Sequence, residues 1–251
     1  MEERRMPLIG DPAPAFRAST THGPMDFPKD YAGKWVVLFS HPADYTPVCT
    51  TEFVAFAKRS EKFKQLGAEL VGLSIDQIYS HIKWVQWIED ELGVKIPFPV
   101  IADNTGKIGA LYGMLHPEAA EAQTVRAVFI IDPQGKVRAM IYYPLNVGRN
   151  MDEILRLLQA LQTADREKVA LPAGWPQNEL IGDRAIVPPP GSESGAHKRL
   201  EEAKSGAVEC YDWWFCHRKL YAKEVTRGVH RREDPSGRLA EGEARPGHRV
   251  S

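Results

Sequence analysis

The chain has 251 residues, 43% of them hydrophobic and 26% charged, with a formal net charge of −1. That length supports one substantial core with an appended arm, and two full domains would be cramped. The apolar content excludes a disordered polymer, and the nearly balanced charge gives no reason to expect a nucleic-acid partner.

Met1 to Leu8 is charged and is followed by Gly10-Asp11-Pro12 instead of an apolar run. This is not the pattern of a secretory leader, so a cytoplasmic location is expected. No stretch approaches the roughly 18 apolar residues that a bilayer span needs, so no membrane association is expected. Trp35 to Ser40, WVVLFS, is rich in β-branched and aromatic residues and reads as a buried strand ending at His41-Pro42. A helix follows, with Phe53, Phe56, Ala57 and Phe63 on its apolar side and Gly67 as its stop. Glu69 to Ser74 is the next strand. Ser80 is placed to cap a second helix running to Leu92, with Val85, Ile88 and Leu92 on one side and Gly93 just beyond. Phe98 to Ile101 reads as a short strand. Arg126 to Asp132 and Val137 to Tyr143 are strand-like runs joined by the turn Pro133-Gln134-Gly135-Lys136, and Asp152 to Leu161 closes with a helix. The alternation predicts an α/β domain with a mixed central β-sheet flanked by helices, spanning residues 6–164.

After about Asp165 the composition changes to LPAGWP, IVPPPG, a polar helical piece from Ser192 to Lys204, and CYDWWFC. This reads as an extended C-terminal arm over residues 165–216. Its proline runs fix an extended path, and Trp175, Trp213, Trp214 and Phe215 need an apolar surface to dock on. Residues 217–251 are charged and glycine-containing with few large apolar side chains, as in a flexible tail.

Three cysteines in a chain of this length do not make a disulfide framework, so they are read first for chemistry. With Thr46 as N-cap and Pro47 at the first helical position, Cys49 falls in the first turn of a helix. Unpaired backbone N–H groups and the positive end of the helix dipole favour a thiolate there. An ordinary buried cysteine beside a Thr-Pro cap is the competing reading of these residues alone.

The segment Pro42-Ala43-Asp44-Tyr45-Thr46-Pro47-Val48-Cys49 resembles the active-site signature of the peroxiredoxin family. The longer string FSHPADYTPVCTTEF is similar to the subfamily that includes one-cysteine members with a long C-terminal arm. WP-x-N-E (Trp175 to Glu179), IVPPP (Ile186 to Pro190) and CYDWWFC (Cys210 to Cys216) are similar to its archaeal members. The resemblance runs from about Met6 to Cys216.

It implies a thioredoxin-like fold and a peroxidase acting on hydrogen peroxide and organic hydroperoxides, without a cofactor or a metal. Cys49 would be the peroxidatic nucleophile. The Thr46 hydroxyl would hold the peroxide and the thiolate, Pro42 would shield the pocket, and Arg126 would bind substrate beside the sulfur. His41, Glu52 and Arg149 are further candidates for supporting the site. The resemblance also implies that Cys216 of the partner subunit resolves the Cys49 sulfenic acid and that Cys210 then exchanges with Cys216. An external thiol reductant, such as a thioredoxin-like protein or a small thiol, would restore the cycle. Dimers assembled into a decamer are implied as well.

Other readings fare worse. A thioredoxin-type disulfide oxidoreductase needs C-x-x-C, where the sequence has Cys49-Thr50-Thr51-Glu52. A zinc site at Cys210, Cys216 and His217 has too wide a cysteine spacing. Gly72-Leu73-Ser74-Ile75-Asp76 lacks the second glycine of a hydrolase elbow. A holdase chaperone built from rings of subunits remains compatible as a secondary activity.

Overall fold

The computed structural model describes residues 6–119 and 123–220. A seven-stranded sheet holds β1 (Phe16–Thr20), β2 (Gly23–Phe27), β3 (Trp35–Ser40), β4 (Ala68–Ser74), β5 (Val100–Ala102), β6 (Arg126–Ile131) and β7 (Val137–Tyr143). Their order is β2-β1-β5-β4-β3-β6-β7. The central β3–β4 and β4–β5 pairs are parallel, and β3–β6, β6–β7, β1–β5 and β1–β2 are antiparallel, so the sheet is mixed. Its helices are α1 (Pro47–Gln65), α2 (Ile78–Leu92), the short α3 (Lys107–Leu111) and α4 (Met151–Glu167).

β3 explains the layering. Val37 and Phe39 join one core with Phe53 and Phe56 of α1, Trp84 of α2 and Ile154 of α4, while Val36 and Leu38 join another with Phe27, Ile101, Tyr112 and Phe129. Side chains alternate across a strand, so a run buried on both faces must be apolar on both, as Val36 to Phe39 is; the buried Ser40 that ends it has its hydroxyl hydrogen-bonded to backbone.

The predicted strands Trp35 to Ser40 and Val137 to Tyr143 form with those limits. Helix ends differ more. α2 begins at Ile78 with Gln77 as N-cap, not at Ser80, and no side chain caps it. Its buried face is His81, Trp84 and Ile88, whereas Leu92 lies exposed at the last position before left-handed Gly93. β5 starts at Val100, since Pro99 has no N–H to give the ladder. α4 runs past Leu161 to Glu167, so the 164/165 boundary falls inside a helix. Asn150 caps it by accepting from the N–H groups of Asp152 and Glu153. The β1–β2 hairpin and α3 were not anticipated.

The arm is more than an extended path. β8 (Ala185–Val187), β9 (Glu209–Asp212) and β10 (Phe215–Arg218) form a small sheet of order β8-β10-β9 beside α5 (Glu193–Lys204), which the Ser192 hydroxyl caps. CYDWWFC is therefore a hairpin, with Cys210 and Cys216 register partners joined by a disulfide. β10 continues past Cys216, which places buried His217 in the sheet and not in a tail. Residues 221–251, where the rest of the tail was expected, lie outside the described residues. Arg156 of α4 donates to the Trp175 carbonyl and Arg218 to that of Glu167, the last residue of α4, tying the arm to that helix. Trp175 is buried, whereas Trp213 and Trp214, 37% and 55% exposed, have no such cover in the single chain.

Candidate active site

The site forms where β3 ends and β6 begins. These ends are stitched together: the Ser40 hydroxyl donates to the Val125 carbonyl (2.6 Å) and accepts from the Ala127 N–H, and the Thr124 hydroxyl donates to the His41 carbonyl. The chain then runs through buried Pro42 into a loop whose Tyr45 is exposed and takes a left-handed φ of 55°.

Thr46 is the N-cap of α1 by backbone conformation, and Pro47 takes the first helical position. The Thr46 hydroxyl is not a capping acceptor, however. It donates to the Ala43 carbonyl (3.0 Å), within the loop. This leaves the N–H groups of the first turn without that side-chain partner, at the end of the helix where positive potential accumulates. Cys49 sits in that turn, free and fully buried.

Arg126, the first residue of β6, reaches the sulfur along the face of the sheet that α1 covers. Its Nη1 lies 3.4 Å from Cys49 Sγ and donates to Glu52 Oε2 at 2.8 Å. Its Nε and Nη2 both donate to the Leu145 carbonyl, at 3.0 and 2.6 Å, which fixes the guanidinium plane. Glu52, three residues after Cys49 on α1, is clamped from the other side by Arg149. The Arg149 N–H and Nε donate to Oε1 (both 2.8 Å), Nη2 donates to Oε2 (2.7 Å), and Nη1 donates to the Ala127 carbonyl. The Arg149 guanidinium also lies over the Phe39 and Phe56 rings.

Burial pushes the Glu52 carboxyl up, but the Arg149 hydrogen bonds and the Arg149 and Arg126 charges more than offset this and hold it below the usual carboxylate range. Two guanidinium groups and one carboxylate leave one unbalanced positive charge, in a group whose side chains are at most 3% exposed. Such a site favours negative charge on the neighbouring sulfur, and on an oxygen leaving it.

The predicted residues Cys49, Arg126, Glu52 and Arg149 thus come together. Cys210 and Cys216 are joined to each other, which removes the thiols that a zinc reading requires. His41 is fully buried and packs against Phe53 and Trp84. Burial pulls its imidazole below the usual range, only partly offset by the hydrogen bond to Asp44.

Asp44, His81 and the Leu145 carbonyl were not anticipated. The Asp44 carboxylate meets His41 Nε2 at 2.9 Å and His81 Nδ1 at 2.8 Å, and its N–H donates to Asp76. The carboxyl is held well below the usual range, burial being outweighed by the hydrogen bonds of the two imidazoles. His81 lies 37 residues from Asp44, and no local spacing announces the pairing.

Comparison with known proteins agrees with this arrangement. Residues 9–140 match the AhpC/TSA family, and residues 160–203 match the C-terminal domain of 1-Cys peroxiredoxin. A peroxiredoxin of Archaeoglobus fulgidus is 58% identical over 214 residues, covering 85% of this chain and 99% of the relative. One of Thermotoga maritima is 59% identical over 218 residues, covering 87% and 100%. Among solved structures, a yeast mitochondrial 1-Cys peroxiredoxin superposes with a TM-score of 0.73 at 37% identity, over 86% of this chain and all of that one. Peroxiredoxin 6 of Arenicola marina gives 0.73 at 34% identity, over 86% and 99%.

Proposed function

Because the chain is a peroxiredoxin, a member of the AhpC/TSA family and thus a thiol peroxidase of thioredoxin-like fold, we propose that Cys49 is its peroxidatic nucleophile and Arg126 its principal substrate-binding cation. The observation that carries this is the Arg126 guanidinium 3.4 Å from the sulfur, within a buried group bearing one excess positive charge. The thiolate attacks one peroxide oxygen, an S–O bond forms as the O–O bond breaks, and the departing oxygen takes up a proton and leaves as water or an alcohol. Sulfur is oxidised to the sulfenic acid and the peroxide is reduced by two electrons. Arg126 offsets the charge growing on the departing oxygen. Thr46 turns its hydroxyl from the Ala43 carbonyl toward the bound peroxide, and Pro42 keeps water from the sulfur. Glu52 and Arg149 orient Arg126, and His41 supports the pocket at the strand end.

For the second half of the cycle, Cys216 of the partner subunit condenses with the sulfenic acid, releasing water and forming a mixed disulfide. Cys210 attacks the Cys216 sulfur, which frees Cys49 and closes the Cys210–Cys216 bridge. An external dithiol then reduces that bridge. The bridged pair beside a free Cys49 corresponds to this last state. A solved relative whose thiol is resolved via glutathione/thioredoxin systems supports the class of reductant.

The resolving step fits a homodimer whose arms cross, with dimers assembled into a decamer, and exposed Trp213 and Trp214 supply apolar surface for such contacts. The thioredoxin-like domain of residues 6–164 carries the peroxidase and the arm of 165–216 the resolving pair. The setting is the cytoplasm, and among the described residues no helix is long and apolar enough to cross a membrane. No cofactor enters the cycle. A holdase activity of the assembled ring is a separate property. Cys49→Ser separates the two: it abolishes peroxide consumption and leaves assembly and suppression of aggregation intact. Peroxide consumption that persists in Cys49→Ser overturns the assignment.

A further inference from the structure

Between α2, β5 and the loop before Cys49 lies a buried polar cluster of which only His41 has been given a part in the peroxidase step. His81, on α2, is fully buried. Its Nε2 faces the Ile101 carbonyl of β5 at 3.1 Å, and its Nδ1 faces the Asp44 carboxylate at 2.8 and 3.0 Å. His41 Nε2 faces the same carboxylate at 2.9 Å, and His41 Nδ1 is buried with no partner among the described residues. Asp76 accepts from the Asp44 N–H and from the Ser74 hydroxyl.

The protons can be counted. A carbonyl only accepts, so His81 Nε2 must carry a hydrogen. The contacts of Asp44 with His81 Nδ1 and with His41 Nε2 each need one more, because lone pairs facing each other at 2.8–2.9 Å in a dry site are not tolerated. Three contacts thus require three protons, whereas an ionised Asp44 with two neutral imidazoles supplies only two. The cluster holds one proton more than that complement, which makes it electrically neutral and so compatible with burial. Nothing remains for His41 Nδ1, and the absence of any acceptor beside that atom agrees with a bare nitrogen there.

From this we infer that His81 is a positioning residue for the peroxidase. It is doubly protonated, it locks the Asp44 carboxylate, and through Asp44 it fixes His41 as the Nε2–H tautomer and anchors the loop that delivers Thr46 and Cys49. The inference deepens the reading of Cys49 as the nucleophile and rests on it for its kinetic part only. The donor atoms of His41, Asp44 and His81 all lie within 4.8 Å of one another, a spacing that also suits a small cation. The unpartnered His41 Nδ1 and the carbonyl on His81 Nε2 are instead accounted for by protons alone.

The test is a long-range 1H–15N correlation spectrum of the 15N-histidine-labelled full chain at neutral pH, which does not depend on Cys49 chemistry. It should show both His81 nitrogens protonated, and His41 protonated at Nε2 with Nδ1 bare. A bare nitrogen on His81, a proton on His41 Nδ1, or a metal ion bound to either ring in the purified protein would overturn the inference. Two variants add function. The amide of His81→Asn can donate from the place of Nδ1. It should keep the His41 tautomer and the rate of Cys49 oxidation by hydrogen peroxide to within about threefold. His81→Phe removes both donors and should release the tautomer and slow that oxidation by about tenfold or more. A folded His81→Phe protein with wild-type oxidation and an unchanged His41 spectrum would contradict the role. Should that variant not fold, the wild-type spectrum decides by itself.

Discussion

Arg149 spends its side-chain donors on two acceptors, the Glu52 carboxylate and the Ala127 carbonyl, and touches no reacting atom. Its role is to hold Glu52, which in turn holds Arg126 beside the sulfur. Glu52→Gln keeps the shape and deletes the charge between two buried guanidinium groups. Breaking a buried pair in this way should cost about 3 kcal/mol in denaturant unfolding. The pH dependence follows from the sign of the shift. The Glu52 carboxyl lies below its unfolded value of about 4.3. Its contribution is therefore fully present above that pH and is lost as pH falls through the lower folded value. Wild-type stability should decline over that acid range with a slope that Glu52→Gln lacks. At the reacting centre, Arg126→Lys replaces a fork pinned on the Leu145 carbonyl by a single flexible ammonium. Peroxide turnover should fall by about 10²-fold in stopped-flow assays, with Cys49 still open to a small alkylating reagent.

Among the elements, α1 and α4 meet at the site: α1 presents Cys49 and Glu52 from its first two turns, and Arg149 directly precedes Asn150, the N-cap of α4. Asn150 caps α4 through the N–H groups of Asp152 and Glu153. Asn150→Ala should cost about 1 kcal/mol in thermal or denaturant unfolding, and the loss of turnover should exceed what the unfolded fraction explains. Much of this scaffold was legible in the sequence, for reasons that can be named. WVVLFS and VRAMIYY are runs whose β-branched and aromatic content has no helical competitor, and both became strands at the expected limits. Helix ends were read less well, because they are settled by tertiary contacts. α2 begins without any side-chain cap, and α4 extends through Asp165, which pairs with Arg138 of β7. In the site, Cys49, Arg126, Glu52 and Arg149 were legible because a family signature carries them. Asp44 and His81 were not, since the chain topology alone brings α2 against that loop.

On the scale of the whole molecule, a peroxidase domain and an arm with its own small sheet share the labour of reduction and oxidation. The Cys210–Cys216 bridge spans one hairpin, with Cys210 half-buried and Cys216 buried. Cys216→Ser should leave the first turnover intact and stop the second when a dithiol protein is the only reductant. Tyr211, Trp213 and Trp214 are exposed on that hairpin. Sedimentation should show dimers or larger rings at all working concentrations, and a persistent monomer would remove the intersubunit step.

The account depends most on which sulfur meets the peroxide. Mass spectrometry of reduced protein after one equivalent of hydrogen peroxide, with and without a sulfenic-acid trap, answers this directly. The trap should be found on Cys49, and without it Cys49 should be bridged to Cys216 or followed by the Cys210–Cys216 disulfide. Oxygen or trap confined to Cys210 and Cys216, with Cys49 untouched, would contradict it.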